Sequence, residues 1–344
     1  MNQSSLILRK HQTTTSINFF KVIHKKLLIL PNSVKSKSFP SITSQSWSII
    51  DAKSGQLLWG FNEKCELEIA SLTKIMTLYT AITIAAKVKI DLNEVKTHIS
   101  KEASEVTGTT ANLPAEYYIK LIDLFYAMML PSGNDAAFCI AEYFGNVLIE
   151  QGMKPCVEIL SGNVKPVTSI DVFVYQMNRN AFRLGLKNTR FTNPHGLSDK
   201  NNHSNAKEIG ILSCSAKKNK LFADIVNCRE YKCEIYNDDN DKKCMKWTNT
   251  NFLLQSGFDG IKTGITPTAG PCLVASCKAF GMNDIIIVML NSRSMETRWN
   301  EAILLKNWIG RNIVKLVHTF KTKLNSTHSK KLPPIMHKKP KFKI

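Results

Sequence analysis

Three things are missing from this sequence, and each excludes a class of protein. Ahead of residue 45 the longest apolar run is Leu27–Leu30, too short for the core of a signal peptide and far too short to span a bilayer. No transmembrane segment is expected. The nine cysteines (Cys65, Cys139, Cys156, Cys214, Cys228, Cys233, Cys244, Cys272, Cys277) form no C-x-x-C pair and have no histidine at metal-ligand spacing. Their odd count and scatter encode neither a zinc site nor a full disulfide framework, so no metal or other cofactor is expected. Acid is absent from both ends: residues 1–50 hold seven Lys or Arg, residues 311–344 hold ten, and neither stretch contains Asp or Glu. Between them, 51–310 carries 29 basic and 27 acidic residues. The formal charge of +19 therefore resides almost wholly in the tails. Such tails read as solvated extensions rather than a nucleic-acid surface, and no nucleic-acid partner is expected.

What is present suffices for a sizeable core, with 43% hydrophobic residues in 344. The expected organisation is a basic N-terminal extension over 1–44, a folded domain over 45–310 and a basic tail over 311–344.

The chain is organised around Ile69-Ala-Ser-Leu-Thr-Lys-Ile-Met76. Apolar residues recur at helical spacing through Leu72, Ile75, Met76, Tyr79, Ile82, Ile84 and Ala85, which puts Ser71 and Lys74 one turn apart on one face. A serine hydroxyl is a poor nucleophile until a base takes its proton, and a lysine can do so only as the neutral amine. Burial at a helix N-terminus and a second nearby cation both favour that neutral form. Taken alone, an S-x-x-K pair reads first as a helix cap followed by a solvated lysine.

Upstream, Ser46–Phe61 reads as a hairpin around Ser54-Gly55, and 89–118 as a looped connection with short strands. Leu121, Leu124, Phe125, Met128 and Met129 mark a helix that Pro131 ends. Ser132-Gly-Asn134 then stands between it and a second apolar helix. In a short interhelical turn Ser132 and Asn134 can face a common cavity, with Gly133 supplying the bend. A second Ser161-Gly-Asn163 lies in a Gly/Pro/Lys-bearing stretch and reads as part of an insertion. A helix is expected over 170–187. Phe191–Leu197 is a loop in which His195 reads as structural, Ser204 is expected to cap a helix from 205 to about 214, and 223–246 reads as an irregular surface excursion.

Toward the C-terminus, residues 257–266, Pro267–Cys277 and Ile285–Leu290 read as three antiparallel strands joined by tight turns, with Lys262-Thr-Gly264 on an edge. A peptide can pair with a free edge while Lys262 and Thr263 offer charge and hydroxyl to a carboxylate, and Gly264 leaves room for the approach. Residues 296–309 read as a closing amphipathic helix.

The ordered set S-x-x-K, S-x-N and K-T-G resembles that of the penicillin-recognising serine enzymes. The flanking text, Ala70–Thr77, Ser132–Ala137, Phe191–Leu197, Asp259–Gly264 and Ala269-Gly270, is similar to the D-alanyl-D-alanine carboxypeptidase branch of the low-molecular-mass penicillin-binding proteins, over about 45–310. That resemblance implies an α/β (α+β) fold of the β-lactamase/transpeptidase type, an antiparallel sheet flanked by helices with an all-helical subdomain. It implies Ser71 as nucleophile, Lys74 as its base, and Ser132 and Asn134 as proton relay and amide holder. Lys262, Thr263 and Gly264 would receive the terminal carboxylate, with Arg298 as a second anion anchor, and the amides of Ser71 and Ile265 would form the oxyanion hole. Partners implied are a peptidoglycan stem peptide ending in D-Ala-D-Ala, and β-lactams as covalent inhibitors. Two readings stay open: an active serine D-Ala-D-Ala carboxypeptidase, or an idle or repurposed fold member that binds a peptide or β-lactam-like ligand. A β-lactamase ranks lower, because no Glu-x-x-x-Asn motif follows the Ser132 loop.

Overall fold

The structure, a computed structural model, describes residues 40–153, 167–279 and 284–328, with side chains as far as 311. The Ser161–Asn163 repeat falls outside them. Pro40–Lys306 form one compact unit. Its centre is a five-stranded antiparallel sheet in the order β2-β1-β11-β10-β9, built from β1 (Ser46–Asp51), β2 (Leu57–Phe61), β9 (Ile261–Gly264), β10 (Cys272–Lys278) and β11 (Asp284–Leu290). β1 and β11 are buried along almost their full length. That fits runs of Ile and Val covered on both faces rather than an alternating pattern. The hairpin at Ser54-Gly55 forms as expected, with Gly55 at φ +73° closing it.

The helices sort into two groups. α1 (Thr73–Val88), α3 (Leu121–Met129), α4 (Asn134–Glu150) and α5 (Ser169–Arg183) pack on one another as a helical subdomain. α6 (Ala206–Lys217) lies across β1 and β11, and Ser48 on β1 donates its hydroxyl to Ala206 O at 2.8 Å. Smaller elements are β3 (Leu67–Glu68), β4 (Lys96–His98), α2 (Lys101–Ser104), β5 (Tyr117–Lys120), β6 (His203–Ser204) and α7 (Lys220–Asn227). The final helix, α8, runs from Met295 to His328, well past the 309 expected. α1 touches both groups and sits at their seam.

Three further expectations need revision. The stretch 223–246 is not irregular: the end of α7 is followed by a hairpin, β7 (Glu230–Asn237) and β8 (Lys242–Thr248), which extends a second sheet in the order β4-β5-β7-β8. Tyr231, Cys233 and Ile235, with Met245 and Trp247, alternate inward behind an outer row of Lys and Glu. Asn205, not Ser204, caps α6, because its side chain accepts from Glu208 N–H at 2.9 Å. Finally, Thr43 and Ser44 belong to the folded unit: both hydrogen-bond the buried Glu301, and Ser44 also meets Ser292.

Candidate active site

Ser71 lies in a single 3-10 turn, Ala70–Leu72, that runs directly into α1. The turn starts from a left-handed Ala70 at φ +48°. A non-glycine residue held there stores about 1–3 kcal/mol of backbone strain. Lys74, one turn on, is fully buried, and its Nζ stands 2.9 Å from Ser71 Oγ, 2.7 Å from Asn134 Oδ1 and 2.7 Å from the carbonyl of His195.

The chemistry of those neighbours fixes the roles. The His195 carbonyl can only accept. Asn134 is oriented by its Nδ2, which donates to Thr107 O at 2.7 Å, so its Oδ1 is the atom facing the amine. A neutral amine has two N–H groups and one lone pair; two obligate acceptors take the N–H groups, which leaves the lone pair for the Ser71 hydroxyl. Burial first, and then the Lys262 ammonium, hold the Lys74 pKa well below its ordinary range, with Asp135 opposing them. The site thus presents an amine ready to accept the serine proton.

The Ser132 turn approaches from the far side. Ser132 is left-handed at φ +69° and buried. Its carbonyl accepts from Thr109 Oγ1 at 2.7 Å, while its hydroxyl has no partner among the described residues. A buried, unpartnered hydroxyl costs about 1–3 kcal/mol and stays available to an incoming group.

Two supports escaped sequence reasoning. Asp135 is fully buried, and its carboxylate accepts from Thr110 Oγ1, from the backbone N–H of Ala111 and Leu113, and from Ala136 N at the start of α4. It thereby ties down the loop whose Thr107 carbonyl orients Asn134. Its place directly after Ser132-Gly-Asn134, where a helix N-terminus favours an anion, was the available signal. The Phe191–Leu197 loop is the other support. The His195 ring is neutral, with burial and then Lys74 holding its pKa near 3, and its Nδ1 accepts from Leu197 N–H. The side chain is structural, as the sequence suggests, but its carbonyl serves Lys74. Thr77 Oγ1 grips the preceding Pro194 carbonyl at 2.6 Å.

Gly196, at φ +87°, packs so tightly on the nucleophile turn that a Cβ would stand 2.0 Å from Ala70 O. Gly196→Ala is therefore expected to displace the turn. Backbone strain and clash together should cost about 3 kcal/mol or more, lowering the thermal midpoint by roughly 6–12 °C and removing Ser71 reactivity. An unchanged melting curve with wild-type acylation would contradict this packing.

The third wall is β9, the edge of the central sheet. Ser276 N–H donates to Gly260 O at 3.1 Å. With Val274 opposite Lys262 and Cys272 opposite Gly264, antiparallel alternation turns the backbone of 262 and 264 toward β10 and that of Thr263 and Ile265 toward the open edge. A Cβ on Gly264 would lie 3.1 Å from Ser71 N, so this edge abuts the nucleophile's own amide. Lys262 is buried, with its Nζ donating to Thr263 O at 3.1 Å. Burial, and then the Arg298 charge, bring its pKa down to about 7. Thr263 Oγ1 lies 2.8 Å from Thr250 Oγ1. Arg298 is buried behind the strand, and its Nη1 donates to both Gly264 O and Cys272 O at 3.1 Å. Among the described residues there is no group of His, Cys, Asp or Glu side chains fit to hold a metal ion, and no helix is long and apolar enough to cross a membrane.

Comparison with known proteins follows the same outline. Residues 33–147 and 160–294 match the model of the D-alanyl-D-alanine carboxypeptidase family. The chain is 31% identical over 248 residues to D-alanyl-D-alanine carboxypeptidase DacF of Bacillus subtilis, covering 71% of this chain and 57% of the relative. It is 31% identical over 290 residues to D-alanyl-D-alanine carboxypeptidase DacA of Haemophilus influenzae, covering 82% and 65%. It thus spans less than two thirds of either relative's length. The crystal structure of the Streptomyces K15 DD-transpeptidase superposes with a TM-score of 0.68 at 28% identity, covering 79% of this chain and 98% of that one. A fold shared almost end to end with that enzyme, and a family match that takes in the serine–lysine turn, the Ser132 turn and the β9 edge, place this chain in the D-alanyl-D-alanine carboxypeptidase family.

Proposed function

We propose that the chain is a serine-type D-Ala-D-Ala carboxypeptidase that removes the terminal D-alanine of peptidoglycan stem peptides through a serine acyl-enzyme. The observation that carries this reading is the set of three neighbours around the buried Lys74 Nζ, two of them obligate acceptors, so that the amine in its neutral form has its lone pair left for Ser71. A stem peptide pairs with the outward backbone of Thr263 along β9, and its terminal carboxylate meets Lys262 and Thr263, with the Arg298 charge behind them. Ser71 Oγ attacks the carbonyl carbon of the penultimate D-alanine as its proton passes to Lys74. The resulting oxyanion is received by the N–H groups of Ser71 and Ile265. Collapse breaks the C–N bond, and the departing D-alanine takes the proton from Lys74 through the Ser132 hydroxyl. Water then hydrolyses the ester, with the same groups moving its proton. A β-lactam carries a carboxylate beside a strained amide and enters the same path as far as the acyl-enzyme.

The test compares an acyl-D-Ala-D-Ala peptide with its C-terminal amide across pH. Charge-assisted hydrogen bonds to the carboxylate contribute about 1.5–3 kcal/mol each, which an amide does not reproduce. The acid should be cleaved and the amide left, with the preference shrinking in Lys262→Ala. Because carboxylate binding needs the Lys262 ammonium and its pKa lies at about 7, kcat/KM should decline as pH rises through that value. Lys262→Arg, which stays protonated, should move the decline to higher pH. Equal rates on acid and amide would sink the carboxypeptidase reading and favour an endopeptidase, an esterase or the idle binder.

A further inference from the structure

Arg298 is spent in a way that an anion anchor does not require. Its Nη1 sits between Gly264 O and Cys272 O, 3.1 Å from each, closing the end of the β9–β10 ladder. The guanidinium carbon lies 4.4 Å from the Trp299 ring centroid, and Nε is buried with no partner among the described residues. The group is therefore fixed by packing on Trp299 and by its grip on two backbone carbonyls. Gly264 O belongs to the same peptide unit as Ile265 N–H. That peptide is trans, so its N–H points opposite to its carbonyl. With the carbonyl held toward β10 by Arg298, the N–H is turned to the open edge, where Gly264 already stands against Ser71 N. A cation bonded to the carbonyl also polarises the peptide and strengthens its N–H as a donor.

We propose that Arg298 is a positioning residue for the oxyanion hole: by clamping the Gly264 carbonyl it aims and polarises the Ile265 N–H that receives the developing negative charge. This rests on the acyl-enzyme reading above. It differs from an anchoring role in one measurable respect, since it operates on ligands that have no terminal carboxylate.

The probe is an N-acyl-D-alanine analogue with boronic acid in place of the carboxyl group, which carries no carboxylate. The Ser71 Oγ–boron bond forms, the Oγ–H bond breaks as its proton passes to Lys74, boron becomes tetrahedral and anionic, and no group leaves. One boron-bound oxygen then occupies the oxyanion position. Arg298→Leu should bind this analogue about ten- to a hundredfold more weakly, somewhat less than the loss of a whole oxyanion donor. In the acyl-enzyme formed with a carbonyl-labelled substrate, the ester carbonyl stretch of Arg298→Leu should move to higher frequency, because a carbonyl less polarised by the hole is a stiffer bond. Arg298→Lys, whose compact ammonium cannot bridge two carbonyls, should fall between; it carries the test if the leucine variant does not fold. Wild-type affinity for the boronic acid with an unmoved carbonyl band would overturn the proposal and leave Arg298 as a carboxylate anchor alone. Absence of any boronate adduct on the wild-type protein would overturn the acyl-enzyme reading, and this inference with it.

Discussion

Lys74→Arg is expected to be almost inactive although the positive charge is retained. Full burial beside Lys262 pushes the wild-type amine toward its neutral form, and only in that form can it offer a lone pair to Ser71 Oγ 2.9 Å away. Guanidinium keeps its proton throughout the accessible pH range and has no acceptor. It must also bring a larger, permanently charged group into a cavity shaped for one nitrogen among Ser71, Asn134 and the His195 carbonyl. General-base removal alone accounts for roughly 10²–10⁴ in rate. Acylation should therefore slow by at least about a hundredfold, measured as the pseudo-first-order rate of penicillin labelling. A rate within about tenfold of wild type, about 1.4 kcal/mol of barrier, would show that another group takes the serine proton.

The sequence made the chemistry legible to different depths at different places. Ser71 and Lys74 could be paired because helical spacing alone decides that they share a face. Lys262-Thr263-Gly264 could be set on an edge because short links between three β-rich runs leave few other arrangements, and β9 is the sheet's edge. One acceptor that completes the Lys74 site was hidden: it is the carbonyl of His195, and every residue carries a carbonyl, so no residue type advertises it. Asp135 sat in plain view as the first acid of a helix, a place where most acids are solvated caps. Only the fold reveals that the 109–113 loop lies over it. The β7–β8 hairpin was obscured by its outer face: Lys232, Glu234, Lys243 and Lys246 dominate the composition, while the inward alternation is short and includes a cysteine. Arg298 was read as an anion anchor on the family resemblance alone, and its grip on the Gly264 and Cys272 carbonyls follows from tertiary geometry.

The second large effect bears on the nucleophile itself. Two other buried serines near the site, Ser132 and Ser204, differ from Ser71 in what surrounds their hydroxyls. Ser132 Oγ has no partner among the described residues, and Ser204 Oγ pairs with Thr189 Oγ1 at 2.7 Å. Among the described buried serines Ser276 also meets a lysine nitrogen, that of Lys217, but its N–H is spent on Gly260 O inside the sheet; Ser71 combines a lysine nitrogen at hydrogen-bond distance with an amide that faces Gly264 at the β9 edge. Acylation should accordingly be confined to one residue. Incubation with penicillin followed by intact-protein and peptide mass spectrometry is the most direct measurement. A single adduct of one inhibitor mass, mapped to the peptide containing Ser71 and lost in Ser71→Ala, is the result predicted here. An adduct that survives Ser71→Ala, or no adduct on the wild-type protein, would contradict the assignment of Ser71 and Lys74 as the reacting pair.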